Sequence, residues 1–267
     1  MDAHLAAIAV YPLKSGAGLA LDAAEVGARG LAGDRCWMLV DAEGHFITGR
    51  QCPRLTLLRA RTLVDGGLEV TGRDGQTLRV PRPDGVQRLR SAVWSDPVDA
   101  ADAGDAAALW FSNVLEQPVR LLHADAAMRR PLDGDYARAG DETAFADGYP
   151  LLLLSRAACE ALSARVGRDL GWRRFRPNLL IDGVPSHAED GWKRVRVGPV
   201  EFEVVKPCVR CVFTTIDPDS GLAEADGEPL RTLKTYRRGQ RGITFGQNLV
   251  PRGRGSVRVG DPVEVLG

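Results

Sequence analysis

The sequence predicts a predominantly β protein of the α+β class, a barrel carrying a few helices. Two observations carry this. Short apolar and β-branched runs recur along the chain between Gly, Pro and Asp turns, and only two stretches show a helical period. Strands and helices do not alternate as a parallel α/β sheet requires. With 267 residues, 44% of them hydrophobic, the chain has ample material for a real core.

Leu5 to Val10 opens the chain as a strand. Cys36 to Val40 and Phe46 to Thr48 flank the turn Asp41-Ala42-Glu43-Gly44, a hairpin signature that Gly closes. Leu55 to Val64, Leu68 to Val70 and Leu78 to Val80 extend this into a meander, separated by Asp65-Gly66-Gly67 and Arg73-Asp74-Gly75. A helix over Asp105 to Leu115 places Ala107, Trp110 and Val114 at helical spacing. The segment from His123 to Tyr149, rich in Arg, Asp and Gly, is expected to be a loop with a domain seam just before it. The expected division is 1–122 and 123–267. The second part opens on the buried-strand run Leu151 to Leu154, with Ser155 as N-cap of a helix through Val166 whose Cys159, Leu162 and Val166 share a face. Asn178 to Ile181, Val195 to Val197, Val200 to Val205, Val212 to Ile216 and Val257 to Val265 follow as strands, Gly198-Pro199 making the tightest turn.

Composition narrows the function. Thirty-five basic and 35 acidic side chains cancel, so nothing in the balance points to nucleic acid or a membrane surface, and a small ligand is expected. The N-terminus MDAHLAAIAVYPLKSG lacks a basic start and a sustained apolar run, and the block Leu151 to Leu154 is too short to span a bilayer. The five cysteines are too few and too odd in number for a disulfide framework; reduced thiols in cytoplasm are the expectation.

The sharpest chemical feature is Lys206-Pro207-Cys208-Val209-Arg210-Cys211, between one expected strand end and the next strand start. Two thiols at this spacing fit half a zinc site, a dithiol redox pair, a soft-metal ligand, or two small residues without chemistry. Zinc needs two more ligands, but Cys36 and Cys52 form no knuckle, and His4, His45, His123 and His187 form no ligand-spaced pair. A thioredoxin-like pair belongs at a helix start in an alternating α/β unit. The flanking Lys206 and Arg210 create the cationic setting that a soft-metal thiolate or an anion favours.

Isolated basic residues form the second feature: Lys14-Ser15, Gly33-Asp34-Arg35, Arg176-Pro177-Asn178 and Arg210. Singly, each is a solvated charge or an ion-pair partner. Together with Ser155 at a helix start they could converge on a phosphate, for which no Gly-rich loop competes. Glu189, Asp190, Asp217 and Asp219 are assigned to turns before catalysis.

The segments YPLKSGAG (11–18), GDRCWMLVDAEGHFITGRQCPRL (33–55), FADGYPLLLLS (145–155), FRPNLLIDG (175–183), KPCVRCVFTTIDPDSG (206–221) and FGQNLV (245–250) resemble the MOSC proteins with an N-terminal β-barrel extension. MOSC abbreviates molybdenum cofactor sulfurase C-terminal. The family includes the mitochondrial amidoxime-reducing component and bacterial N-hydroxylated-base reductases. The resemblance implies a MOSC-type β-barrel and a molybdenum cofactor (molybdopterin), with Cys211 as metal ligand and catalytic residue. It also implies that Lys14, Ser15, Arg35, Ser155, Arg176, Asn178 and Arg210 hold the pterin and its phosphate. Gly16 stands where members often have Cys. Asn248 takes the place of a Tyr at the pterin edge.

The implied reaction is two-electron reduction of an N-hydroxylated small molecule: an amidoxime, a hydroxylamine or an N-hydroxylated base. Electrons are expected from a separate donor protein, because no flavin motif, nicotinamide fingerprint or iron–sulfur cysteine set is visible. A family-level association with pyridoxal phosphate accompanies the resemblance. Two rivals stand beside this reading: a non-catalytic MOSC module that carries the cofactor or its sulfur, and a zinc-stabilised β-barrel.

Overall fold

In the computed structural model, which describes residues 2–267, strands dominate. The first part supplies β1 (His4–Val10), β2 (Leu19–Leu21), β3 (Ala23–Gly27), β4 (Gly30–Leu31), β5 (Trp37–Val40), β6 (Arg59–Thr62), β7 (Leu68–Thr71), β8 (Thr77–Val80), β9 (Arg88–Val93) and β10 (Asp96–Asp102). Helix α1 (Asp105–Leu115) and β11 (Arg120–His123) follow. The second part supplies β12 (Leu151–Ser155), α2 (Arg156–Val166), β13 (Leu179–Asp182), β14 (Arg194–Val197), β15 (Val200–Val209), α3 (Leu230–Tyr236), β16 (Arg238–Gly239), β17 (Gly242–Pro251), β18 (Gly255–Arg258) and β19 (Val263–Val265).

The main sheet runs β19-β14-β15-β17-β12-β13-β1-β2, with β16 against β17. Its neighbours are antiparallel except β12 and β13, which pair in parallel through Leu153 and Leu179. Its far strands also meet, because the Val263 amide donates to Ala3 O at 2.9 Å and the Leu5 amide to Asp261 O at 2.9 Å. The sheet thus curls onto itself, which leaves few open edges. β1 and β2, from the start of the chain, are therefore built into the sheet of the second part. The first part adds the sheet β5-β11-β10-β9 and the meander β6-β7-β8.

Burial explains the continuous apolar runs. Leu151, Leu153, Leu179 and Ile181 face the barrel core, whereas Leu154 and Leu180 pack under α2 with Ala158, Leu162 and Phe245. A strand covered on both faces has no polar alternation to show. Each buried Leu stabilises the fold by about 1.5–3 kcal/mol. Helix α2 ends where Gly167 adopts φ 82, a left-handed conformation that only glycine reaches without strain.

Four expected strands are corrected. Within Leu55 to Val64, a 3-10 helix occupies Pro53–Leu57, with Pro at its start and Thr56 Oγ1 donating to Pro53 O at 2.8 Å, and β6 begins only at Arg59. Val212 to Ile216 is not a strand either. There Thr214 and Thr215 hydroxyls donate to the carbonyls of Cys211 and Val212, three residues back, and hold Val212–Thr215 as a 3-10 turn. Val257 to Val265 is broken by Gly260 at φ 93 into β18 and β19. The arm Phe46 to Thr48 keeps its backbone bonds to β5 without forming a strand, Ile47 donating to Leu39 O at 2.8 Å. Among the described residues, no helix is long and apolar enough to cross a membrane.

Candidate functional site

Loops from both parts meet at one end of the main sheet. The turn after β1 carries Lys14 and Ser15, with the Lys14 amide donating to Trp37 O at 2.7 Å and the Gly16 amide to Leu13 O at 2.9 Å. Arg35 precedes β5. Arg176 follows the 3-10 turn Arg173–Phe175, and Asn178 leads into β13. Arg210 and Cys211 follow β15, and Asn248 lies in β17. Ser15 (φ 65), Arg35 (φ 47) and Arg176 (φ 58) all occupy the left-handed region. Such strain in non-glycine residues concentrates where a loop must aim a side chain.

Lys14, Ser15, Arg35, Arg176, Asn178, Arg210, Cys211 and Asn248 line a single cavity. Its charge is lopsided although the chain is neutral overall. Lys14 Nζ donates to Asp147 Oδ1 at 2.5 Å and to Phe145 O at 2.8 Å. Arg35 reaches Asp34 Oδ2 at 2.5 Å, Asn178 Oδ1 at 3.0 Å and Arg176 O at 3.1 Å. Arg176 donates to Gly16 O at 2.6 Å, while Arg210 donates to Cys208 Sγ at 2.9 Å and Phe175 O at 2.6 Å. Among the described residues, Arg176 and Arg210 have no carboxylate partner, and neither does Arg50 on the same wall. The Nε of Arg210 is buried with no hydrogen-bond partner at all. Cys211 is exposed, its sulfur free.

Behind this wall, Tyr11 lies between two guanidinium groups, Arg35 at 4.2 Å and Arg176 at 4.1 Å from its ring centre. Burial pushes the Tyr11 hydroxyl up to about 12, and it donates to Pro177 O at 3.1 Å. Burial, then the like charge of Arg35, lowers Arg176 to about 10. Burial also lowers Lys14, with Asp147 opposing. Desolvation raises Asp147, but Lys14, Arg35 and Arg50 outweigh it and hold the carboxyl at about 2. The cavity thus combines crowded cations with two free thiols, of which Cys211 is the more exposed.

The family model of the MOSC N-terminal beta barrel domain matches residues 2–118, and that of the MOSC domain matches residues 140–264. The chain belongs to the MOSC family. Among curated relatives of this MOSC protein, mitochondrial amidoxime-reducing component 1 of Mus musculus is 37% identical over 97% of this chain and 81% of its own length. Its Homo sapiens counterpart is 36% identical over the same shares. Mitochondrial amidoxime reducing component 2 of Bos taurus is 33% identical over 95% of this chain and 80% of its own. Among solved structures, the YUAD protein from Bacillus subtilis aligns over 98% of this chain and 94% of its own, with 11% identity and a TM-score of 0.42.

Two expected members of the MOSC site sit differently from the sequence reading. Asn178 spends its side chain on the protein, accepting from Arg35 and the Leu152 amide at 3.1 Å and donating to Ala9 O at 3.1 Å, so it braces the wall. Ser155 does not line the cavity. It occupies the N-cap position of α2, but its fully buried hydroxyl has no partner, and its amide donates to Glu189 Oε1 at 3.1 Å. Lys206 also departs from expectation, its ammonium lying over the Tyr136 ring at 4.5 Å. Arg210 contacts Cys208, leaving Cys211 without a hydrogen-bonded cation. Among the described residues, neither cysteine belongs to a cluster of three possible metal ligands; the one such cluster is the turn Asp41, Glu43 and His45. Thr48, Arg50, Asp147, Tyr149 and Phe213 line the cavity without any local sequence signal that separates them from surface residues.

Glu189 is not an ordinary turn carboxylate: it is wholly buried, and burial raises it above the usual range. A raised carboxyl favours the protonated form in the folded state, so the contribution of Glu189 to stability is present in full below its unfolded value and is lost as pH rises through the folded value. Glu189→Gln, which keeps the acceptor for the Ser155 amide, is expected to abolish that loss and raise the neutral-pH Tm by a few degrees. Thermal unfolding from pH 4 to 8 checks this; parallel wild-type and variant curves refute it.

Proposed function

We propose that this MOSC protein is a molybdenum-cofactor-dependent oxidoreductase that reduces N-hydroxylated compounds such as amidoximes, hydroxylamines and N-hydroxylated bases, with electrons from a separate donor protein. The observation that carries this is the convergence of Arg50, Arg176 and Arg210, all without acid partners, on the cavity that exposes Cys211. The relatives' names, amidoxime-reducing components, support the substrate class. The residues present fit the cofactor, since the orphaned Arg210 Nε needs an acceptor and the thiol is a soft donor. Its five free cysteines suit a reducing compartment, the cytoplasm.

When bound, the cofactor supplies the two-electron chemistry that releases the hydroxyl oxygen as water. Cys211 holds the metal through its sulfur. Arg176, Arg210, Arg35 and Lys14 hold the anionic end, Arg35 aimed by Asp34 and Asn178. Ser15 and Asn248 line the wall as uncharged contacts. Asp147 and Phe145 O accept from Lys14 Nζ and oppose the effect of its burial.

Protein made in a cofactor-competent host is expected to carry molybdenum, to leave NADH unconsumed with a hydroxylamine, and to turn over with a reduced viologen. Steady NADH oxidation by the pure protein overturns the separate donor. Full molybdenum occupancy without viologen-linked turnover favours the cofactor-carrier reading.

A further inference from the structure

A second cavity opens beside the first, and Thr48 and Arg50 line both. Its other walls include Phe46, Ala92 and Trp94. Strands β9 and β10 pair Val93 with Asp96, so only Trp94 and Ser95 form the hairpin loop. Trp94 holds φ 59 in that turn, a conformation for which glycine or asparagine is the usual choice. The chain instead sets a bulky indole there, and leaves it 48% exposed. Backbone strain that displays an aromatic face beside a cavity needs a purpose beyond folding.

The surroundings of the indole are ordered. The Arg50 guanidinium lies 4.4 Å from the Trp94 ring, and Phe46 meets that ring edge-on at 5.2 Å, 76° between planes. Phe46 in turn lies 5.3 Å from Lys14 Nζ, in the wall of the main cavity. This shelf is keyed to the thiol loop, because a Cβ at Gly49 would collide with the ring of Phe213, two residues past Cys211. The side cavity therefore adjoins the main one, with Thr48 and Arg50 common to both and aromatic rings where the main cavity is cationic.

We infer that Trp94, with Phe46 and Arg50, forms a substrate subsite that receives the planar aromatic portion of an N-hydroxylated compound while its N-hydroxyl group lies in the main cavity. The identity of the substrate rests on the proposed function; the aromatic preference does not. Uncharged flat rings gain from offset and edge-on contact with indole and phenyl, and from the guanidinium face. A substrate with only a methyl group in that place gains none of it.

The test compares benzamidoxime with acetamidoxime, which differ by phenyl against methyl on the amidoxime carbon. Ligand-observed NMR titration of the metal-free protein gives the ratio of their Kd values, and viologen-linked assay of the molybdenum-loaded protein gives the ratio of kcat/KM. Trp94→Gly suits the turn and is expected to fold; Phe46→Leu keeps an apolar wall without the ring edge. Both ratios are expected to favour benzamidoxime in the wild type, to shrink about three- to tenfold in Trp94→Gly, and to shrink less in Phe46→Leu. Unchanged ratios in Trp94→Gly, or a wild type that binds neither compound, overturn the subsite. A loaded protein that reduces neither compound, while the metal-free protein keeps a Trp94-dependent binding ratio, sinks the reductase reading and leaves the subsite standing.

Discussion

Cys211→Ser is expected to reduce viologen-linked activity to background and to empty the protein of molybdenum, while Cys208→Ser keeps most of both. The two thiols share the cavity but not their surroundings. Cys211 is exposed and makes no side-chain hydrogen bond, and Thr214 fixes its carbonyl through both amide and hydroxyl, at 3.1 and 2.9 Å. The loop is braced and the sulfur left free, which is what a metal ligand needs. Serine oxygen there is a harder, more basic donor and a poor substitute for thiolate. Cys208 accepts the Arg210 N–H, and serine accepts the same bond, so Arg210 keeps its place on the wall. Elemental analysis, pterin release and rate should be read on one preparation, with circular dichroism confirming the fold. Retained activity in Cys211→Ser with loss in Cys208→Ser reverses the assignment. Equal loss in both points to a site that uses the thiols as a pair.

That asymmetry between the cysteines was not legible from spacing, which treats them alike; the resemblance singled out Cys211, and the geometry shows which sulfur Arg210 engages. The same division runs through the fold. Helix α1 ends where the periodicity of Ala107 and its neighbours ends, and β12 follows its leucine run, because local pattern and burial agree there. Val212 to Ile216 has the composition of a strand, yet two threonine hydroxyls bonding backwards make a turn, a choice set by local hydrogen bonds rather than propensity. Strands β9 and β10, rich in Arg and Asp, show little apolar alternation, and pairing with each other supplies what their composition lacks. For the site, most of the basic scatter lines one cavity, but a sequence cannot distinguish a residue that faces a cavity from one that braces its wall. Asn178 braces the wall and Ser155 is buried away from it, whereas Arg50, which has no carboxylate partner, lines the cavity.

Arg176→Ala is expected to weaken cofactor retention about ten- to a hundredfold while leaving the empty protein as stable as the wild type, because the cost and the benefit of this charge fall in different states. In the empty fold, Arg176 faces Arg35 across Tyr11, and burial with that like charge lowers it from its ordinary value to about 10. The sign follows from linkage: a base lowered on folding sheds its proton more easily in the native state, so its penalty is present in full at neutral pH and is relieved only as pH rises through 10. That penalty is of order 3 kcal/mol. Against it stand one hydrogen bond to Gly16 O and the stacking on Tyr11, together about 2–3 kcal/mol. The two nearly cancel, and alanine at φ 58 is no worse placed than arginine, so the empty variant should unfold within a few degrees of the wild type. An anionic ligand reverses the balance, because it turns the crowded charge into a charge-assisted, two-pronged contact. Arg176→Lys, which keeps the charge but not the fork, should lie between. Thermal unfolding of metal-free protein and cofactor content after purification are read side by side. A collapse of the empty variant makes Arg176 a structural strut, and normal occupancy with lost turnover makes it part of the reaction.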